Sequence, residues 1–198
     1  KYINHDIKEF RILGEGKVAN HNRKTFERFM EYYDNAEEHL KKGEGLILCG
    51  SVGIAKTWLM THLAKKVLSI FDEENGRITE ESLHLGNNQM NRFYYIQATT
   101  ISQMVFPTGL NEKELNIRRG IKTIAGLWID DISKLAETKS GFETSFLDDL
   151  LRWRDLNCLP TFYTSQLPFE DIKSFSLPIH DIIRGNCQVL TFMGDSQR

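Results

Sequence analysis

The stretch that most constrains this chain is Gly50-Ser51-Val52-Gly53-Ile54-Ala55-Lys56-Thr57. Leu46-Ile47-Leu48-Cys49 precedes it and reads as a short buried strand. Trp58 to Ile70 follows, with apolar residues at Leu59, Leu63, Val67 and Ile70 in helical spacing. Strand, glycine-bearing turn, Lys-Thr and helix are the context of a phosphate-binding loop. Backbone N–H groups of such a loop cradle phosphate oxygens, and the helix N-terminus adds partial positive charge. In that reading Lys56 reaches the β- and γ-phosphates and Thr57 ligates Mg²⁺, so ATP or ADP with Mg²⁺ is the expected ligand. Residues Gly50 to Trp58 then form the nucleotide-binding segment.

The motif expects glycine before its lysine, and Ala55 stands there. If that position needs a left-handed backbone, alanine costs roughly 1–2 kcal/mol. If φ is negative, the methyl costs little unless it crowds a phosphate. A chance Gly/Lys turn is the bland alternative, and the flanking strand and helix argue against it.

The 198 residues suffice for one domain of ordinary size. With 40% apolar and 26% charged residues, the composition is that of a soluble globular protein. A net charge of −2 means that any nucleic-acid contact needs a local patch. No apolar run approaches the ~20 residues of a membrane span, and no secretory signal is visible. Cys49, Cys158 and Cys187 are odd in number and not metal-spaced, which suits a reducing, cytoplasmic setting. The first residue is Lys1, so the chain is expected to be a piece of a longer protein.

Residues 1–20 read as an irregular lead-in. Asn22 to Leu40 reads as an amphipathic helix stopped by Lys41-Lys42-Gly43. Residues 1–43 are thus a lead-in with one helix, and 44–198 the core. Asp72 to Arg92 is polar and reads as a surface insertion. Phe93–Ile96 is a second strand, and 99–122 holds short helices around Pro107-Thr108-Gly109. Ala125–Ile129 is a third strand, Phe142–Asn157 a helix, and Thr161–Tyr163 and Val189–Phe192 the last strands. This alternation predicts an α/β fold with a five-stranded, mostly parallel sheet between two helical layers. Ligands in such folds sit at the carboxyl ends of the strands.

Two motifs fall at those ends. Leu127-Trp128-Ile129 delivers Asp130-Asp131. Alone, an acidic pair after an apolar run is more often a solvated strand end. Beside a phosphate loop, Asp130 becomes the Mg²⁺ carboxylate and Asp131 the base for an attacking water. Leu159 to Gln166 is a strand ending in small polar residues and an amide, and Gln166 is placed to bond the γ-phosphate or the water. An ordinary turn before Pro168 is the alternative.

The phosphate loop, the Asp-Asp strand and the run Arg154…Asn157-Cys158-Leu159-Pro160-Thr161-Phe162-Tyr163-Thr164-Ser165-Gln166 together resemble the AAA+ core of bacterial and phage replicative-helicase loaders of the DnaC/DnaI type. The resemblance spans about residues 43–198, is most specific over 146–166, and extends to Gly194-Asp195-Ser196-Gln197-Arg198. It implies an ASCE-type P-loop core without a large lid domain. Lys56 and Thr57 are then the Walker A pair and Asp130 and Asp131 the Walker B pair. Gln166 stands at the usual sensor asparagine and Arg198 at the second sensor. Arg184 is the arginine available as a finger, slightly displaced from the family's position.

The implied function is an ATPase that helps place a hexameric replicative helicase on single-stranded DNA during replication, with self-association through the ATP site. Residues 99–122 correspond to a helical element that grips single-stranded DNA, through Lys113, Arg118, Arg119 and Lys122. Glu112 and Glu114 favour a plain solvated face instead. Two other readings remain at this stage: a transposition helper ATPase (IstB-like) gripping double-stranded DNA, and a nucleotide-binding adaptor that does not hydrolyse.

Overall fold

The computed structural model describes residues 17–73, 93–105, 109–137 and 141–194. Helix α1 (Lys17–Asp34) and helix α2 (Ala36–Lys41) lead into strand β1 (Gly45–Cys49) and helix α3 (Lys56–Glu73). Strand β2 (Phe93–Gln97), helix α4 (Ala98–Gln103), helix α5 (Glu112–Thr123) and strand β3 (Gly126–Asp130) follow. A 3-10 turn (Ile132–Glu137), helix α6 (Gly141–Leu156) and strand β4 (Thr161–Ser165) come next. A second 3-10 turn (Phe169–Ser174), helix α7 (Leu177–Asn186) and strand β5 (Cys187–Thr191) close the order.

The five strands form one sheet in the order β2-β3-β4-β1-β5, every pair parallel. Central strands β1 and β4 are buried at every residue, because helices cover both faces of a parallel sheet. Side chains alternate between those faces. Leu46, Leu48, Trp128, Phe162 and Leu190 share one core with Phe29, Tyr32, Leu59, Leu63 and Val67 of α1 and α3. Ile47, Cys49, Leu127, Ile129 and Tyr163 face the other core, with Ile117, Ile121, Leu147, Leu151, Ile179 and Ile183.

The amphipathic helix expected over 22–40 is two helices. It begins at Lys17, inside the stretch read as irregular, and breaks at Asn35. Both the N–H and the side-chain amide of Asn35 donate to Glu31 O, at 3.1 and 2.9 Å. The first is the helix's own i→i−4 bond, and the second, from the side chain to the same carbonyl, is the local bonding that competes with continuation of the helix. The stop falls at Lys41-Lys42-Gly43 as read, with Gly43 at φ +72°. Helix α1 is clamped to the chain after β5. Buried Asn22 exchanges two 2.7 Å hydrogen bonds with the backbone of Met193, and the Thr25 hydroxyl donates to Thr191 O at 3.1 Å.

Helix α5 is started by a capping box. The Asn111 side chain accepts from Glu114 N–H, and the Glu114 carboxylate accepts from Asn111 N–H. Helix α7, not drawn as an element above, starts at Ser176, whose hydroxyl accepts from Ile179 N–H, with a proline in its first turn. The three cysteines are free, and burial pushes the Cys49 thiol up to about 12. No helix among the described residues is long and apolar enough to cross a membrane. The expected insertion at 72–92 lies almost wholly outside the described residues, as do Pro107, Thr108 and Arg198.

Candidate nucleotide site

The loop between β1 and α3 turns on three residues with positive φ: Gly50 at +138°, Gly53 at +89° and Ala55 at +59°. A Cβ on Gly50 would lie 2.3 Å from Phe192 O, so no side chain fits there. The open question about Ala55 is answered by its φ. The left-handed backbone costs alanine roughly 1–2 kcal/mol. Part of that is returned because alanine leaves the unfolded chain fewer states than glycine, an effect of about 0.4–1 kcal/mol.

Lys56 opens α3 and is 8% exposed. Its ammonium donates to Gly50 O at 2.6 Å and to Ser51 O at 2.8 Å, two of its three donor positions. Burial pulls Lys56 below its ordinary range, while Asp131, Cys49 and Asp130 oppose that shift by favouring the charge. Both carboxylates of the acidic pair therefore act on the lysine of the loop. The Ser51 hydroxyl donates to Gly194 O, tying the loop to the segment after β5. Thr57 is exposed on the first turn of α3, and half-buried Trp58 packs on His62 with ring centroids 4.2 Å apart.

Asp130 is the last residue of β3 and Asp131 the next, at φ +56°. Four neutral donors hold the pair. Tyr95 Oη donates to Asp130 Oδ2 at 3.0 Å, and Thr164 Oγ1 donates to Asp130 Oδ1. Ser133 Oγ donates to Asp131 Oδ1, and Gln166 Nε2 donates to Asp131 Oδ2 at 2.5 Å. Two of the hydroxyls also accept: Thr164 from Asp131 N–H at 2.8 Å and Ser133 from Gln166 N–H at 3.1 Å. The phenol of Tyr95 is pushed up, first by burial and then by Asp130. The amide of Gln166, expected to reach a phosphate or a water, is here given to Asp131.

Neither acid carries a cationic hydrogen-bond partner in this network, so their charge is available to a divalent ion. Among the described residues no group of three or more His, Cys, Asp or Glu side chains could hold a metal alone. Mg²⁺ takes one or two protein oxygens and draws the rest from water and phosphate. The Thr57 hydroxyl and the Asp130 carboxylate are such oxygen donors.

The four cations of the 99–122 segment divide into two pairs. Arg118 Nε donates to Met104 O at 2.8 Å, and its guanidinium lies 5.2 Å from the Phe146 ring centroid. Lys122 Nζ lies 5.0 Å from the Trp153 centroid. Lys113, Arg119 and Lys122 are exposed, and Arg118 is half-buried. Arg184 is exposed in the last turn of α7, far from the loop. Helix α7 hands over to β5 at the amino end of the sheet, where Cys187 pairs with Gly45. The loop leaves β1 at the other end. Five strand residues at ~3.3 Å each separate the two by roughly 16 Å, so Arg184 and the loop lie at opposite ends of the same sheet.

The Lys-Thr loop after β1 and the acidic pair at the end of β3 thus sit at the carboxyl ends of a five-stranded parallel sheet in a three-layer α/β fold. No protein-family model matches the sequence, and no curated protein matches it. Among solved structures it is similar to DnaI, with a TM-score of 0.65 and 19% identity over 100% of this chain and 92% of that one. It is also similar to the DnaC helicase loader, with a TM-score of 0.62 and 18% identity over 96% of this chain and 98% of that one. The replication initiator DnaA, bound to AMPPCP and single-stranded DNA, matches with a TM-score of 0.63 and 17% identity over 96% of this chain. The chain spans 50% of that DnaA chain, and at these identities the likeness is one of fold.

Of the site, Thr164, Ser133 and Tyr95 were not singled out from the sequence. Thr164 lay in the small polar run ending β4, and Ser133 lies two residues after Asp131. Nothing local marks Tyr95, which enters through the pairing of β2 with β3.

Proposed function

We propose that this chain is the ATP-binding and ATP-hydrolysing core of a helicase loader, which helps place a hexameric replicative helicase on single-stranded DNA. The observation that carries the reading is that β1 and β3, parallel on either side of β4, bring the Lys56 loop and the hydroxyl-held pair Asp130 and Asp131 to the same end of the sheet. The fold shared with DnaC and DnaI over nearly the whole of those chains supports the loader class. Bound Mg-ATP supplies an electrophilic γ-phosphoryl group and a divalent charge. Residues Gly50 to Trp58 hold the nucleotide, with Lys56 on the β- and γ-phosphates and Arg198 at the second-sensor position. Thr57 and Asp130 hold Mg²⁺. Asp131 accepts the proton of the attacking water, and Gln166 keeps the Asp131 carboxylate aimed. Arg184 acts on a neighbouring subunit's site.

The decisive experiment separates binding from turnover. Asp131→Asn keeps the size of the side chain and loses the base. ATP binding should persist while turnover falls at least ~100-fold, the scale of a lost general base. Calorimetry and phosphate release, with single-stranded DNA and helicase present, measure the two. The adaptor reading, favoured by the strained Ala55, gains if wild type binds ATP and releases no phosphate under those conditions.

For DNA, Lys113 and Arg119, exposed and outside the ring contacts of Arg118 and Lys122, are the more informative pair. Lys113→Ala with Arg119→Ala should weaken single-strand binding and flatten its salt dependence by about one unit of slope per lost phosphate contact. Arg118→Ala instead removes a bond to Met104 O and a ring contact with Phe146 of α6, so its first effect should be on packing of α5 against α6 and the turn after α4. An unchanged slope in the double variant would assign Lys113 and Arg119 to a solvated face.

A further inference from the structure

Three of the four donors around the acidic pair touch one acid each. Tyr95 bonds only Asp130, and Ser133 and Gln166 only Asp131, among the aspartates. Thr164 touches both. Its hydroxyl gives its proton to Asp130 Oδ1 and takes the Asp131 N–H at 2.8 Å. It is 2% exposed, on a strand buried at every residue, and pairs in register with Leu48 of β1. It is therefore anchored to the strand that delivers the phosphate loop.

The Asp131 backbone is left-handed, a conformation that a non-glycine residue keeps only where its surroundings over-determine it. The N–H bond to Thr164 is one such determinant, and the Ser133 and Gln166 bonds to the carboxylate are the others. A hydroxyl has one proton to give and lone pairs to receive, so a single oxygen serves both acids at once. Valine has nearly the same shape and neither capacity.

We propose that Thr164 is the positioning residue shared by the acidic pair, fixing Asp130 for the metal and Asp131 for the water through one buried hydroxyl. The proposal rests on the nucleotide reading above and divides the neighbouring donors. Tyr95 serves only the metal acid, and Ser133 only the base. Loss of such outer-layer hydrogen bonds typically costs ~10–100-fold in metal affinity or activity.

The test uses the full chain with Thr164→Val, Thr164→Ser, Tyr95→Phe and Ser133→Ala. Nucleotide affinity is measured in EDTA and across a Mg²⁺ titration, and turnover is measured separately. Thr164→Val should bind ADP in EDTA like wild type. It should need ~10–100-fold more Mg²⁺ and turn over ~10–100-fold more slowly. Thr164→Ser should restore both. Tyr95→Phe should shift the Mg²⁺ requirement alone, and Ser133→Ala the turnover alone.

A wild-type Mg²⁺ requirement and rate in Thr164→Val would overturn the proposal, as would a serine variant as impaired as the valine one. Should the valine variant not fold, the split decides: Tyr95→Phe and Ser133→Ala moving the same parameter would contradict it. If wild type binds nucleotide without hydrolysing it, the Mg²⁺ titration still decides. If wild type binds no nucleotide, the parent reading fails, and this one with it.

Discussion

Two inactive variants, Arg184→Ala and Lys56→Ala, should recover ATP hydrolysis when mixed. The first keeps its own phosphate loop and the second keeps its arginine. Arg184 lies at the amino end of the sheet and the loop at the carboxyl end, so a catalytic role for Arg184 requires a neighbour. In a head-to-tail assembly mixed at random in equal amounts, about a quarter of the junctions would join an intact loop to an intact arginine. A finger supplied in trans is worth ~10³–10⁵ in rate, so even that fraction stands far above either variant alone. A helix-end cation acting only on its own dipole contributes under ~1 kcal/mol and predicts no recovery. Arg184→Ala hydrolysing like wild type under assembly conditions would remove it from the site.

Lys56→Ala alone should abolish useful nucleotide binding. Lys56 is buried, and its ammonium already spans Gly50 O and Ser51 O at the mouth of the loop. Truncating one member of a buried hydrogen-bonded charge pair costs about 2–5 kcal/mol. The Kd for ATP should therefore rise at least ~30-fold. Titration calorimetry measures it, with circular dichroism to show that α3 still forms. Unchanged affinity would remove the phosphate-loop reading.

What the chain reveals locally was readable before the structure. The Lys-Thr loop and Asp130-Asp131 are short motifs whose strands are continuous apolar runs, and both fall where expected. The same holds for the stop at Gly43, where the basic residues and the left-handed glycine stand side by side. What depended on distant partners was not readable. The φ of Ala55, at +59°, had both signs open from the sequence. Arg118 and Lys122 look like free cations on a helix. Met104 O, Phe146 and Trp153, which engage them, come from other elements. The hydroxyls of Tyr95, Ser133 and Thr164 meet only because β2, β3 and β4 run parallel in register. The helix expected at 22–40 missed its break because Asn35 gives no sign, in sequence, that its amide will take Glu31 O.

The proposed loader would spend ATP to put a helicase on DNA. Closed circular single-stranded DNA has no end to thread, so a ring helicase reaches it only if the ring is opened. The measurement is the amount of replicative helicase retained on such circles after a salt wash, with and without this protein and Mg-ATP. The account predicts retention that needs both, and that falls to background with Lys56→Ala. Retention equal with and without the protein, or binding confined to double-stranded circles, would contradict it.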